Sequence, residues 1–160
     1  MWTGRPDTAA TWRFELCDAA TSAPVGRVEL ESLSDRGVVH ADGAELRVAR
    51  TRPLIGPFAL LRGDDVLARA VPRRLGFGFR VEHGGGELEL RVAAAEREAL
   101  AFEVVSAEAV VGRLRHDGTL NRRLTVEPPA ELALELQLFL LWPALLTWRR
   151  EPSSWGGLAG

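Results

Sequence analysis

Residues 130–148 read AELALELQLFLLWPALLTW, and the second half of this stretch is apolar around its whole circumference. A surface helix keeps one polar face, so a helix without one has to be walled in on every side. Glu131, Glu135 and Gln137 interrupt the run, whose richest part spans 136–148 before Arg149 and Arg150. Crossing a bilayer takes about 20 apolar residues, whereas a run of about 10–14 is the length of a buried core helix. The stretch is therefore expected to be an axial helix near 130–149, although Trp142, Trp148 and the two arginines imitate a membrane-interface belt. Pro128 and Pro129 suit its start, Glu131 and Glu135 sit toward the positive end of its dipole, and Arg149 and Arg150 at the negative end. Pro143 has no N–H and crowds the carbonyl of Phe139, which predicts a kink there.

The walls come from the preceding chain. Apolar residues alternate with polar ones from Trp12 to Val126, the period of half-buried strands. Trp12, Phe14 and Leu16 share a face, as do Gly26, Val28 and Leu30, and then Leu46 and Val48. Phe58 and Leu60 are answered by Val66, Ala68 and Ala70, and Phe77, Phe79 and Val81 by Leu88, Leu90 and Val92. Leu100, Phe102 and Val104 precede Val110, Gly112 and Leu114, with Leu120, Leu124 and Val126 closing the series. One dry and one wet face is the pattern of antiparallel sheet. Turn residues separate the runs at Asp42-Gly43, Gly63-Asp64, Gly84-Gly85-Gly86 and Asp117-Gly118.

Two kinds of hairpin alternate along the chain. One opens with Phe (FELCDAATSAPVGRVEL, FALLRGDDVLARAV, FEVVSAEAVVGRLR); the other runs through a Gly-containing turn into ELRV (VVHADGAELRVAR, FRVEHGGGELELRVA). Similar units at this spacing suggest repeated supersecondary structure, with independent convergence on good hairpins as the other explanation. Eleven or twelve strands are expected. A helix with its side chains is about 10–12 Å across, and a barrel of about eleven strands is wide enough to hold one. The fold class is thus mainly β: a closed antiparallel barrel of about 12 strands enclosing a hydrophobic C-terminal helix. Residues 1–11 are expected to be a flexible extension, 12–150 a single barrel domain, and 151–160 a flexible tail.

Composition excludes some functions. Of 160 residues, 46% are hydrophobic and 26% charged, which is ordinary for a globular domain, and the net charge of −2 gives no general field for nucleic acid. All 20 basic residues are arginine. The single cysteine, Cys17, forms no intramolecular disulfide and fits a reducing compartment. The first ten residues lack the basic start and apolar run of a signal peptide, so a cytoplasmic location is expected, with association at a membrane as an extension of it.

The serial hairpins with turns such as VVHADGAELRV and FALLRGDDVLARAV, followed by EPPAELALELQLFLLWPALLTWRR, resemble the tubby C-terminal-like superfamily. Within it, the likeness is to LURP-one-related and phospholipid scramblase-like proteins. It spans roughly residues 12–150 and implies a twelve-stranded barrel around a hydrophobic helix. Tubby proteins bind phosphoinositides through basic residues, but no matching lysine–arginine pair occurs here. Scramblase-like relatives carry Pro-rich and Cys-rich segments and an acidic calcium-associated stretch. Here Glu127, Glu131 and Glu135 are too helix-like for a calcium loop, so neither scrambling nor calcium dependence carries over.

Candidate chemistry is sparse. His40, His83 and His116 each precede a turn, and three imidazoles can hold zinc; a polar residue at a hairpin end needs no ligand, however, and no metal is expected. Asp64 with Asp65, and Asp117 beside His116, could act as acid and base, but aspartate in turns commonly bonds its own backbone. Ser32, Ser34 and Ser106 have no nucleophile-elbow context, and the glycine run 84–86 is followed by no helix that could offer phosphate its N-terminus. Arginine pairs remain: Arg50 with Arg52, Arg73 with Arg74, and Arg122 with Arg123. Guanidinium binds phosphate bidentately, so these are the candidate anion- or lipid-binding residues. The sequence reads as a non-catalytic binding module without cofactor. Its expected partner, by resemblance, is an anionic lipid headgroup. A protein-interaction scaffold is the alternative, and a protein anchored by the C-terminal helix a more distant one. The aromatic interleaving used for nucleic acid is missing.

Overall fold

The computed structural model describes residues 1–7, 12–31, 34–52, 56–74, 78–93, 101–117 and 122–150. Its strands are β1 (Trp2–Pro6), β2 (Arg13–Asp18), β3 (Pro24–Leu30), β4 (Gly37–Ala41), β5 (Ala44–Arg50) and β6 (Phe58–Arg62). They continue as β7 (Asp65–Pro72), β8 (Gly78–His83), β9 (Gly86–Val92), β10 (Phe102–Ser106), β11 (Ala109–Asp117) and β12 (Arg123–Glu127), followed by α1 (Leu134–Arg150). Every strand pairs antiparallel with its neighbours in the chain, and β12 pairs with β1 to close a twelve-stranded barrel. Closure leaves no free edge to recruit another chain.

The expected extension at 1–11 is corrected by β1. Trp2–Pro6 is bonded on both sides, Trp2 opposite Val126 and Asp18, and Gly4 opposite Leu124 and Leu16. WTGRP carries no alternating apolar pattern of its own; its pairing comes from two strands lying one strand-width apart at the seam. Residues 8–11 and 151–160, and with them the expected tail, fall outside the described residues, as do Phe77, Leu100, Leu120 and the Gly118 turn.

Inside the ring runs α1. Leu138–Leu141, Trp142, Ala144–Leu146 and Trp148 are all buried. The helix touches the ring in more than one place: Trp142 packs on Phe58 of β6 with ring centroids 4.8 Å apart, and Trp148 on Phe102 of β10, four strands further round, at 5.7 Å. It approaches the β3–β4 wall most closely because two glycines make room. A Cβ on Gly26 would stand 2.6 Å from Leu138 Cδ1, and one on Gly37 would overlap the Glu29 carbonyl and Trp142 Nε1. The first helical turn starts at Leu134, later than the pattern suggests, because the amide of Gln137 holds the carbonyls of Pro129 (2.9 Å) and Leu132 (2.8 Å) in a tight approach. Through Pro143 the helix continues unbroken.

Inward alternation holds on all the later strands except at two valines. Val66 and Val110, expected inward, are 43% exposed. Register shifts between Leu60 and Leu61, and between Val104 and Val105, give β7 and β11 one extra residue each and turn the preceding side chains outward. A third shift lies between Leu16 and Cys17. The three bulges fall in the three Phe-opening hairpins, whose first residues Phe14, Phe58 and Phe102 recur every 44 residues. Each bulged hairpin begins four strands after the one before, so the ring has an internal threefold periodicity.

Candidate anion-binding end of the barrel

An up-and-down ring places every connection that follows an odd-numbered strand at one end and every connection that follows an even-numbered strand at the other. Four of the even-numbered connections are two-residue turns, 42–43, 63–64, 84–85 and 107–108. Those after odd-numbered strands are five to nine residues long. After β12 the chain enters the barrel at the tight-turn end, so α1 delivers its C-terminus to the long-loop end.

Charge follows this division. At the tight-turn end lie Asp18, Asp42, Asp64, Asp65 and Glu108, joined by Glu131 and Glu135 at the helix start, and with Arg62 at the end of β6 paired to Glu135 at 3.3 Å. At the long-loop end stand all three candidate pairs, Arg50 and Arg52 after β5, Arg73 and Arg74 after β7, and Arg122 and Arg123 before β12. Arg36, Arg149 and Arg150 join them from the β3–β4 connection and the helix terminus, with Asp7, Glu31, Asp35 and Asp117 as the described acids. Sequence reading missed this second group. Arg149 and Arg150 were legible as helix-dipole partners, and the signal that places them here is the even number of strand reversals before the helix.

The six candidates are not equivalent. Arg52, Arg74 and Arg123 are exposed, as is Arg36, and none of the four enters an ion pair among the described residues. Arg73 reaches Glu89 at 3.1 Å on the outer wall. Arg122 is half-buried with its guanidinium 5.1 Å from the ring centre of Trp12, and burial pushes its pKa down. Arg50 lies over the Phe58 ring at 4.5 Å and donates from Nε (2.9 Å) and Nη2 (2.7 Å) to Asp35 Oδ2.

Asp35 gathers more than Arg50. Arg150 Nη2 donates to the same oxygen at 2.6 Å, and Arg149 Nη2 to Oδ1 at 3.3 Å. Arg149 also donates to the backbone carbonyls of Glu31 (2.6 Å) and Ser34 (3.0 Å), which pins the end of α1 to the β3–β4 connection. Partial burial pushes the Asp35 carboxyl up, and the hydrogen bonds and charges of Arg50 and Arg150 outweigh it, so the net shift is downward. Burial pushes the pKa of Arg149 down. Beside this cluster runs an open groove of about 800 Å³ lined by Ser34, Asp35, Arg36, Arg47 and Arg50.

The other sequence candidates scatter. His40 is on the outer face of β4, its Nε2 3.1 Å from both Glu29 Oε2 and Arg27 Nη2. His83 accepts the Gly85 N–H at 3.1 Å through Nδ1, bracing its own turn, while His116 is inside the barrel with its ring 5.4 Å from that of Trp148. Among the described residues no group of three His, Cys, Asp or Glu side chains could hold a metal ion. Asp64 and Asp65 are exposed at a hairpin tip, and the Asp117 side chain lies outside the described ones. No described helix is long and apolar enough to cross a membrane. Comparison of the chain with protein-family models, curated proteins and solved structures finds no match.

Proposed function

We propose that the protein is a non-catalytic binding module that docks its long-loop end on an anionic lipid surface at the cytoplasmic periphery of a membrane. The supporting observation is the separation of charge along the barrel axis: arginines from five separate segments share one end, and acidic tight turns occupy the other. A chain of net charge −2 presents in this way a locally cationic face, and such a face orients a protein on a surface of opposite sign. Arg52, Arg74 and Arg123 supply exposed charge, with Arg73 beside them. Fold alone does not choose the partner; the choice of lipid rests on the resemblance of the hairpins and terminal helix to tubby-like and scramblase-like proteins.

Sedimentation with vesicles of phosphatidylserine in phosphatidylcholine, against phosphatidylcholine alone, tests the reading. Binding should need the anionic lipid and weaken with salt, because each basic residue near such a surface contributes about 1 kcal/mol and is screened over about 8–10 Å. Joint replacement of Arg73 and Arg74 by Ala should lower binding without changing the circular dichroism. Equal recovery with both vesicle types, or none at low salt, would discard the lipid reading in favour of a protein-interaction scaffold.

A further inference from the structure

We infer that Asp35 is an internal competitor of the docking surface: a carboxylate of the chain itself occupies Arg50, Arg149 and Arg150 and withholds them from an external anion. The inference rests on the docking reading above and adds its regulation. Three guanidinium groups converge on one carboxylate, with contacts of 2.6–3.3 Å to its two oxygens. The adjacent carboxylate, Glu31, is bonded to the Ser34 hydroxyl at 2.5 Å instead. The three guanidinium groups outnumber Asp35 by two charges and Asp35 with Glu31 by one, and Arg149 carries its share with a side chain only 16% exposed. Guanidinium forks match the oxygens of carboxylate and phosphate alike. An anion reaching the neighbouring groove meets Arg50, one of the three donors that Asp35 uses, with Arg36 and Arg47 beside it and Glu31 and Glu45 also on the lining, at the end of the barrel where Arg36, Arg52 and Arg74 are exposed. Exchange of one carboxylate for another anion needs no new cavity. It also couples docking to the contact between α1 and the β3–β4 connection, since Arg149 and Arg150 belong to both.

The test is Asp35→Asn, which keeps the size of the side chain and an acceptor oxygen while removing the competing charge. On phosphatidylserine vesicles the folded variant should bind about fivefold more tightly than the wild-type chain or better, the effect of one charge near such a surface. A folded variant that binds equally or more weakly overturns the inference, and wild-type binding that responds to Arg73 and Arg74 replacement leaves the docking reading standing. Binding by the variant where the wild-type chain shows none upholds the competitor and removes the docking reading for the unaltered chain. Binding by neither overturns both. Should Asp35→Asn fail to fold, the Nε–H resonances of wild-type Arg50 and Arg149 are followed while dihexanoyl phosphatidylserine or inorganic phosphate is added. Movement of both with the lipid supports the exchange, no movement overturns it, and an equal response to phosphate overturns its lipid form.

Discussion

The two ends of this barrel are made by the same twelve strands, yet one is closed by four two-residue turns and a five-residue one, and the other by connections of five to nine residues. At the tight-turn end Asp18 is satisfied locally, while Glu135 at the helix start takes Arg62 of β6 at 3.3 Å. Asp18 accepts from the Thr21 N–H (2.8 Å), the Thr21 hydroxyl (3.0 Å) and the Ala20 N–H (3.0 Å), and these bonds hold its carboxyl below the ordinary value. At the long-loop end charges are satisfied at a distance, Asp35 by residues 15, 114 and 115 positions away. A turn that satisfies its own groups can change little and bind little. Charges held by distant partners can exchange them, which is what a docking surface requires.

Removing the helix that joins the two ends should have the largest effect. Phe139 is fully buried, and Phe139→Asp would place an unpaired charge in the barrel, at a cost comparable to a whole domain stability of about 5–15 kcal/mol. Loss of the cooperative thermal transition is expected, and likewise for a chain ending at Pro129. A soluble, cooperatively folding truncation would show that the strands stand without α1.

Gly37→Leu is a milder way to part helix from wall, since its side chain would have to displace Trp142 and the Glu29 strand. Overpacking of this kind costs about 1–3 kcal/mol or more, read as a lower denaturation midpoint with altered tryptophan fluorescence. The same change at exposed Arg52 should leave the midpoint in place.

Acid should act unequally on the long-loop end. A carboxyl with a depressed folded pKa contributes stability above its unfolded value and loses it as pH falls through the folded one. The net downward shift of Asp35 therefore predicts a melting temperature that declines as pH drops below the ordinary 3.8. Glu29 adds to this: burial raises its pKa, but Arg13 and His40 bonds outweigh it. At neutral pH Asp35→Asn should cost about 1 kcal/mol, after discounting for partial exposure, and should flatten the acid limb. An unchanged limb would place the acid-sensitive group elsewhere.

The smallest effect belongs to the tight-turn end. Ala107 and Glu108 adopt positive φ of 46° and 66°, which disfavours residues with a Cβ by about 1 kcal/mol. Glu108→Gly should raise the melting temperature slightly, stabilising by about 0.5 kcal/mol once the added freedom of the unfolded chain is counted, and leave vesicle binding unaltered.

Much of the ring was readable because hydrophobic alternation reports backbone geometry directly: Phe14 and Leu16, Leu46 and Val48, and Leu88 and Leu90 all face inward as the pattern requires. Val66 and Val110 were misplaced because a bulge changes the period by one residue without changing composition. The arginine pairs were visible one by one. That they share an end depends on strand parity, and that Arg50 is held by Asp35 depends on side chains that no local pattern relates.

The chain's own residues determine a mainly β architecture and a helix that has to be enclosed, since period-two alternation and all-round apolarity are properties of short segments. Tertiary structure alone decided that Trp2–Pro6 seals the ring and that the helix enters through the acidic end. It also decided that Asp35 draws together arginines from β5 and α1. Those outcomes are set by closure, which fixes which distant segments become neighbours; no segment carries that information by itself.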